Sequence, residues 1–543
     1  MATTNLKVRR AITELQDDYK NGNKKPLEDL MRAWKGIKAL PPDDPNSFFK
    51  LGGFHGEPFR GAGWGNSAYW GGYCNHGNVL FPTWHRVYLF KLEQALQSIE
   101  GCEDVMLPFW DETSDESMNN GIPWALTDEY FELDGEQITN PLRSFVFPKN
   151  IIDSINNDDP NYSKPYGYET VRYPLSGLVG TDADRAATTA HNDQFKDYKQ
   201  NVRFLNQNVT NWLNSSIVIN GKVVPTGVAQ KFKNCLDAPN YTVFSNTTSA
   251  AEWNNQAKGI PNPDPNFKPV VPLESPHNSI HLSVGGYEVP TGPNAGDFSP
   301  IDGANGDMGE NDTAGLDPIF YFHHCFIDRV FWLWQKKHGQ TDALEIIPEY
   351  PGTNTVDNQG PTPGMMPNSW LTMDSPLNPF QLEGKEQRTF TSNDCVNIEK
   401  QLGYTYGPGS LEDTVQSRSL ATEEAARPTK TIKVSNINRG PIRGSFLISA
   451  FATIDGKRQC LGTEAVLSRW NTKYCANCQT HLEASAFFEM PMPEDTGKQG
   501  MDLTAEDFNL EVEIKRRPVN DTLKASARGV AAAAGVPHRV EMF

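Results

Sequence analysis

At 543 residues, with 38% hydrophobic and 21% charged side chains, the chain is too apolar to be disordered, and its length suits about two to four domains. A net charge of −18 excludes nucleic acid and anionic membrane as principal partners, because both are polyanions that would repel it. No run approaches the ~20 apolar residues of a membrane span, and the charged N-terminal segment lacks the apolar core of a secretory signal, which predicts a cytoplasmic protein. Eight cysteines with one close pair, Cys475 and Cys478, do not make a secreted disulfide framework.

In chain order, residues 1–406 mix helical patterns with long Pro/Gly/Asn-rich connections, which predicts a mainly α domain. The spacing of Val87, Leu89, Leu92 and Leu96 predicts a helix over 82–98, with Pro82 in a first turn where its missing N–H costs nothing. A second helix is expected over 318–337. It is apolar nearly all round, from Ile319 to Trp334, and such a helix belongs at a domain centre. Residues 407–429 are polar and Gly/Pro-punctuated, and read as an exposed, cleavable linker. Over 430–516 the runs TIKVSNI, SFLISAFATI, SAFFEM and LEVEIK alternate with turn residues, predicting an all-β, sandwich-like domain. Residues 517–543 form an Ala/Gly-rich tail to which no structure is assigned.

Most of the 11 histidines fall in two clusters. His55, His76 and His85 make the first; His277, His281, His323 and His324 make the second. His277 and His281 stand four apart, so on a helix both rings leave one face, the geometry for sharing a metal ion. Imidazole suits copper, zinc, iron and nickel. A lone histidine on an apolar helix is usually an ordinary core residue. Two groups beside buried aromatic helices are harder to explain that way, because burying so many ionisable rings costs stability unless something compensates them.

Cys-x-His followed by FPTWHR, then HNxxH, then DPIFYFHHCFIDR, resembles the type-3 copper proteins: tyrosinases, catechol oxidases and haemocyanins. The likeness spans nearly the whole chain and is strongest to the cytosolic tyrosinases of moulds in their full-length latent form. It implies two copper ions with O2 as co-substrate, one copper on His55, His76 and His85 and the other on His277, His281 and His324. The resemblance also makes the second histidine of the adjacent pair the ligand and leaves His323 beside the metal; spacing alone, about 100° between helical neighbours, says only that both are not expected to meet one ion. By the same resemblance Cys74 forms a thioether to the His76 ring, and Phe81 and Phe320 pack beside the ligand rings. Tyr404 and Tyr406 close the domain. Asp328 either orients a neighbouring group or pairs with Arg329 or Arg10.

The implied activity is ortho-hydroxylation of monophenols and two-electron oxidation of o-diphenols to o-quinones, with Glu274 and Asn278 holding a water as base near the second copper. Taken alone, Glu274 reads as a solvated loop carboxylate and Asn278 as a helix cap. Expected partners are small phenols such as tyrosine, DOPA or simple catechols, and a homo-oligomer is compatible with the family. The β-rich domain is expected to inhibit until it is cut off or displaced by acid or detergent. In it, Cys475 and Cys478 assist copper loading and Leu467 plugs the pocket, with Trp470 as rival. A catechol oxidase without monophenolase activity is the alternative, followed by a haemocyanin-like carrier. A zinc hydrolase is disfavoured, because HExxH and carboxylate ligands are missing.

Overall fold

Helix-period and strand-period segments sort into two packed units in this computed structural model. It describes residues 6–56, 72–152, 163–178, 182–257, 268–289, 304–354, 369–382, 388–416, 429–442, 444–469, 482–491, 504–516 and 536–543. The helices that position the site are α1 (Lys25–Ala39), α2 (Phe81–Gln97), α3 (Tyr198–Asn214), α4 (Val228–Cys235), α5 (Thr247–Ala257), α6 (Glu274–Gly285) and α7 (Ile319–His338). None of the described helices is long and apolar enough to cross a membrane.

α2 and α7 lie within a residue of their expected bounds. α7 is the axis of the first unit: every residue from Ile319 to Gln335 is buried, and Gly339 ends it in the left-handed region at φ 67°. α1 lays Leu27, Leu30, Met31, Trp34 and Ile37 against this core, the spacing of an amphipathic stripe. Strand β1 (Lys7–Arg9) pairs in parallel with a strand from the far end of the unit, Tyr404–Tyr406.

Between those two strands in sequence, Ser216–Ile219 (β2) and Lys222–Pro225 (β3) form an antiparallel hairpin. Tyr404–Tyr406 is then β4, followed by β5 (Thr429–Asn438), β6 (Phe446–Ile454), β7 (Lys457–Val466), β8 (Glu483–Pro491), β9 (Glu511–Arg516) and β10 (Arg539–Met542). The last six make two antiparallel sheets, ordered β8-β5-β10 and β7-β6-β9, with an apolar core between them. β6 shows how one strand serves two interiors. Phe446, Ile448, Ala450, Ala452 and Ile454 face the sandwich core, while Leu447 joins the core of the helical unit. Alternation of successive side chains lets both faces of this sheet be covered.

Three boundaries differ from the sequence expectation. β10, in the tail left without structure, pairs with β5. β7 was missing from the expected runs, and it forms the hairpin partner of β6. The start of the linker is packed rather than exposed. Gly407 N–H donates to the Arg9 carbonyl, and the buried Arg329 donates to the Gly407 and Ser410 carbonyls and to Glu412. Leu411 is buried as well.

Candidate dinuclear metal centre

His85 projects from α2, His277 and His281 from α6, and His323 and His324 from α7, while His55 and His76 sit on loops. Within each of two groups, His55/His76/His85 and His277/His281/His323/His324, the potential ligand atoms all lie within 4.8 Å of one another. The groups adjoin: the His85 and His324 rings stack at 4.5 Å, and His76 lies 5.6 Å from His277.

The His55 loop is set by close backbone approach. A side-chain carbon on Gly56 would strike the Asp312 carbonyl, and one on Gly72, whose φ is +81°, would strike the His55 carbonyl.

The Nδ1 bonds decide what these rings can bind. His55 Nδ1 donates to the Asn311 carbonyl (3.1 Å), His85 Nδ1 to the Phe81 carbonyl (2.8 Å), His281 Nδ1 to the Met308 carbonyl (2.8 Å), and His277 Nδ1 to Asn278 Oδ1 (2.9 Å). A ring that donates through Nδ1 and is neutral must present a bare lone pair at Nε2. His277 Nε2 and His281 Nε2 approach His324 Nε2 to 3.1 and 3.3 Å, so three ring nitrogens converge, at least two of them with bare lone pairs. The Nε2 atoms of His55 and His85 and both ring nitrogens of His76 are buried without a hydrogen bond. Burial holds every ring towards neutrality, with His85 pushed down to about 3 and His281 to about 4. Converging neutral nitrogens in a buried cluster fit soft or borderline transition-metal cations.

His323 is turned differently. Its Nδ1 meets Glu112 Oε1 at 2.6 Å, and burial pushes the Glu112 carboxyl well above the usual range. His324 is clasped by Phe320, which stacks on it at 4.0 Å and also touches His55 (4.8 Å). Phe81 lies 4.8 Å from both His85 and His277.

Glu274 and Asn278 both depart from their plain readings. Glu274 is buried in the first turn of α6, accepting from the Gly77 N–H and from the N–H and hydroxyl of Thr247. Burial raises its pKa, and those donors offset only part of the rise. Asn278 lies inside α6 and fixes the His277 tautomer instead of capping a helix. Asp328 pairs with neither Arg329 nor Arg10. It binds Arg86 (2.6 Å), Arg9 (3.5 Å) and the Tyr404 and Tyr406 hydroxyls (both 2.6 Å). Arg329 leaves α7 at a different angle, and Arg10 points away from its strand neighbour Arg9, which removes both expected partners.

The β-rich unit closes over the site. Leu467 packs with the core of the helical unit, and it borders a cavity of about 360 Å³ together with His76, Glu274 and Asn278. Arg469 reaches the Asp312 carboxylate (2.6 Å), the His55 carbonyl (3.3 Å) and Cys74 Sγ (3.2 Å). Sequence reasoning missed Arg469, Glu112 and the carbonyls of Asn311 and Met308, because tertiary contacts, from 27 to more than 400 residues apart, leave no local pattern. Trp470, Cys475 and Cys478 lie outside the described residues.

Two facing sets of histidines in an apolar interior define a dinuclear, imidazole-ligated metal protein. Residues 45–337 match the common central domain of tyrosinase. The chain is 52% identical over 510 residues to tyrosinase HcTyr2 of Hahella sp., covering 90% of this chain and 89% of that protein. It is 47% identical over 498 residues to the Aspergillus oryzae tyrosinase, covering 88% and 89%. The solved tyrosinase from Burkholderia thailandensis superposes with a TM-score of 0.80 at 46% identity, covering 99% of this chain and 100% of that one. The chain belongs to the tyrosinase family, and it is a copper-dependent oxidoreductase with a dinuclear centre. Its similar relatives include bacterial as well as fungal proteins.

Proposed function

We propose that the protein is a latent tyrosinase: it hydroxylates monophenols ortho to the phenolic oxygen, oxidises o-diphenols to o-quinones, and is held slow by its own β-rich domain. Its substrates are small phenols such as tyrosine, DOPA and simple catechols. His55, His76 and His85 would hold one copper, and His277, His281 and His324 the other. Copper cycling between Cu(I) and Cu(II) supplies dioxygen with the electrons it needs.

The observation that carries this reading is the placing of Glu274 and Asn278 with His76 on the wall of one cavity, Asn278 being bonded to His277. A phenol of pKa ~10 must lose its proton before it is hydroxylated. A buried carboxylate and an amide on the same helix can hold a water that takes it. Asn278 also keeps the His277 lone pair directed at the site. Phe81 and Phe320 wall the ligand rings and exclude water. A thioether from Cys74 to His76 would fix the ring that has no hydrogen-bond anchor. Cys475 and Cys478 would carry copper to the site. Leu467, at the cavity wall on the β-rich side, is the residue proposed to stand in the substrate path.

Glu274→Gln should slow monophenol hydroxylation at least about tenfold more than catechol oxidation, measured on paired substrates with copper content held equal. Equal losses on both would favour catechol oxidase instead. For latency, the full-length chain should turn over catechol far more slowly than the catalytic unit freed of the β-rich domain. Equal rates would remove that part of the reading.

A further inference from the structure

The hairpin β2–β3 belongs by sequence to the helical unit, yet it sits in the other one. Ile217 and Ile219 are fully buried in the apolar cluster built by β5, β6 and β8, and Val224 packs against it. Among described residues before 429, no others belong to that buried cluster. The turn is Asn220-Gly221, with φ of 50° and 74°, the pair that a tight two-residue hairpin needs.

The polar contacts follow the same pattern. The buried side-chain amide of Gln459, on β7, imitates a strand partner: Oε1 accepts from Val218 N–H (2.6 Å) and Nε2 donates to the Val218 carbonyl (2.7 Å). Asp455 accepts from the Asn220 N–H at 2.8 Å. The hairpin is rooted firmly. It continues from α3, whose Asn208 and Trp212 donate to the Ser283 and Tyr287 carbonyls at the end of the histidine-bearing α6 (2.7–2.9 Å). It leads into α4, whose Lys231 pairs with Glu464 of β7 at 2.7 Å.

We propose that this hairpin holds the β-rich domain on the catalytic unit independently of the covalent connection, so that a cut between residues 417 and 428 yields a nicked, two-chain complex and not two separate domains. Before cleavage the tether keeps the partners at an effective concentration in the millimolar range; after it, the interface must hold by its own affinity. Two isoleucines inserted into a foreign core, flanked by satisfied backbone hydrogen bonds, provide a centre of the kind that dominates stable interfaces. On the latency reading, the nicked protein stays slow until acid or detergent displaces the domain. That corollary rests on the proposed function, whereas the attachment itself is read by mass and not by turnover.

The test introduces a site-specific protease sequence between Glu424 and Ala425 in the full-length, copper-loaded chain. After complete cleavage, the native-sequence protein diluted to about 1 µM should elute as one species at the position of the uncut protein, with both fragments in it. Ile217→Asp with Ile219→Asp should separate the fragments, a dissociation constant raised at least about 100-fold. Gln459→Ala should raise it about tenfold. Copper content reports whether each variant has folded, and if the double variant fails, Gln459→Ala decides alone. Fragments that part without denaturant in the native-sequence protein overturn the proposal. So does a native-sequence complex whose affinity Gln459→Ala leaves unchanged.

Discussion

The two histidine groups reach the same chemistry by different construction. His277, His281 and His324 stand on two packed helices, and the first two have their tautomers set from within or beside α6. His55, His76 and His85 come from two loops and one helix, and the His55 loop is braced by Arg469, more than 400 residues later in sequence. The second group is therefore organised mainly by two helices, with one carbonyl from a neighbouring turn, whereas the first depends on glycine-mediated approach and on a side chain of the covering domain. Pre-organisation of this kind is what holds a metal set in place.

The largest expected effect is symmetric and marks the limit of that contrast. His281→Ala and His55→Ala should each lower copper from two per chain to about one and reduce turnover by 10³-fold or more, beyond the ~10–100-fold typical of residues that only support a ligand. Metal analysis beside catechol turnover checks both. Retention of two coppers by either variant would show that the site is drawn wrongly.

The next effect tests what the groups share. Asp328 on α7 grips Arg86 on α2, one position after His85, and so ties the two histidine-bearing helices together. Burial opposes its charge, but Arg86 and Arg9 outweigh that and hold Asp328 below its ordinary pKa. Asp328→Asn leaves the buried Arg86 guanidinium without its carboxylate, while Arg9 keeps Glu93, and should cost about 3–5 kcal/mol, read as a lower denaturation midpoint. The sign with pH is fixed. A depressed carboxylate contributes stability above its unfolded pKa of ~3.9 and loses it as pH falls through the folded value. The gap between native and variant should thus be full at pH 6 and shrink below about pH 4. A gap that widens in acid would contradict it.

The smallest effect separates the groups. Arg469→Ala should weaken copper at the first group by about 10–100-fold while leaving the second unchanged, measured by stepwise chelator competition. Equal weakening of both would mean that the covering domain braces the whole site.

Legibility in the sequence followed the range of the interactions. The i, i+4 histidine pair and the apolar α7 could be read because helix periodicity is local. The choice of His324 over His323 came from family likeness. The structure gives His323 a carboxylate partner, Glu112, and brings His324 Nε2 to the other two nitrogens. Asp328 could not be read, since its partners stand at positions 9, 86, 404 and 406. Composition misled at Gly407–Glu412, where polar residues serve a buried arginine instead of solvent. The hairpin was overlooked despite a usable signal, SIVI-NG-KVVP, in which β-branched residues flank an Asn-Gly turn.

The parallel pairing of β1 with β4 has a consequence for how the chain is made. Arg9 needs Glu93, Asp328 and Tyr406 to satisfy its buried charge, and the last of these leaves the ribosome about 400 residues after it. At translation speeds of ~5–20 residues per second, the N-terminal strand waits some tens of seconds for its partner. The catalytic unit therefore closes only as its last strand emerges, shortly before the first strand of the covering domain follows. In the order of synthesis, the helix-borne histidines come together first, and the brace that Arg469 gives the His55 loop arrives only with the covering domain.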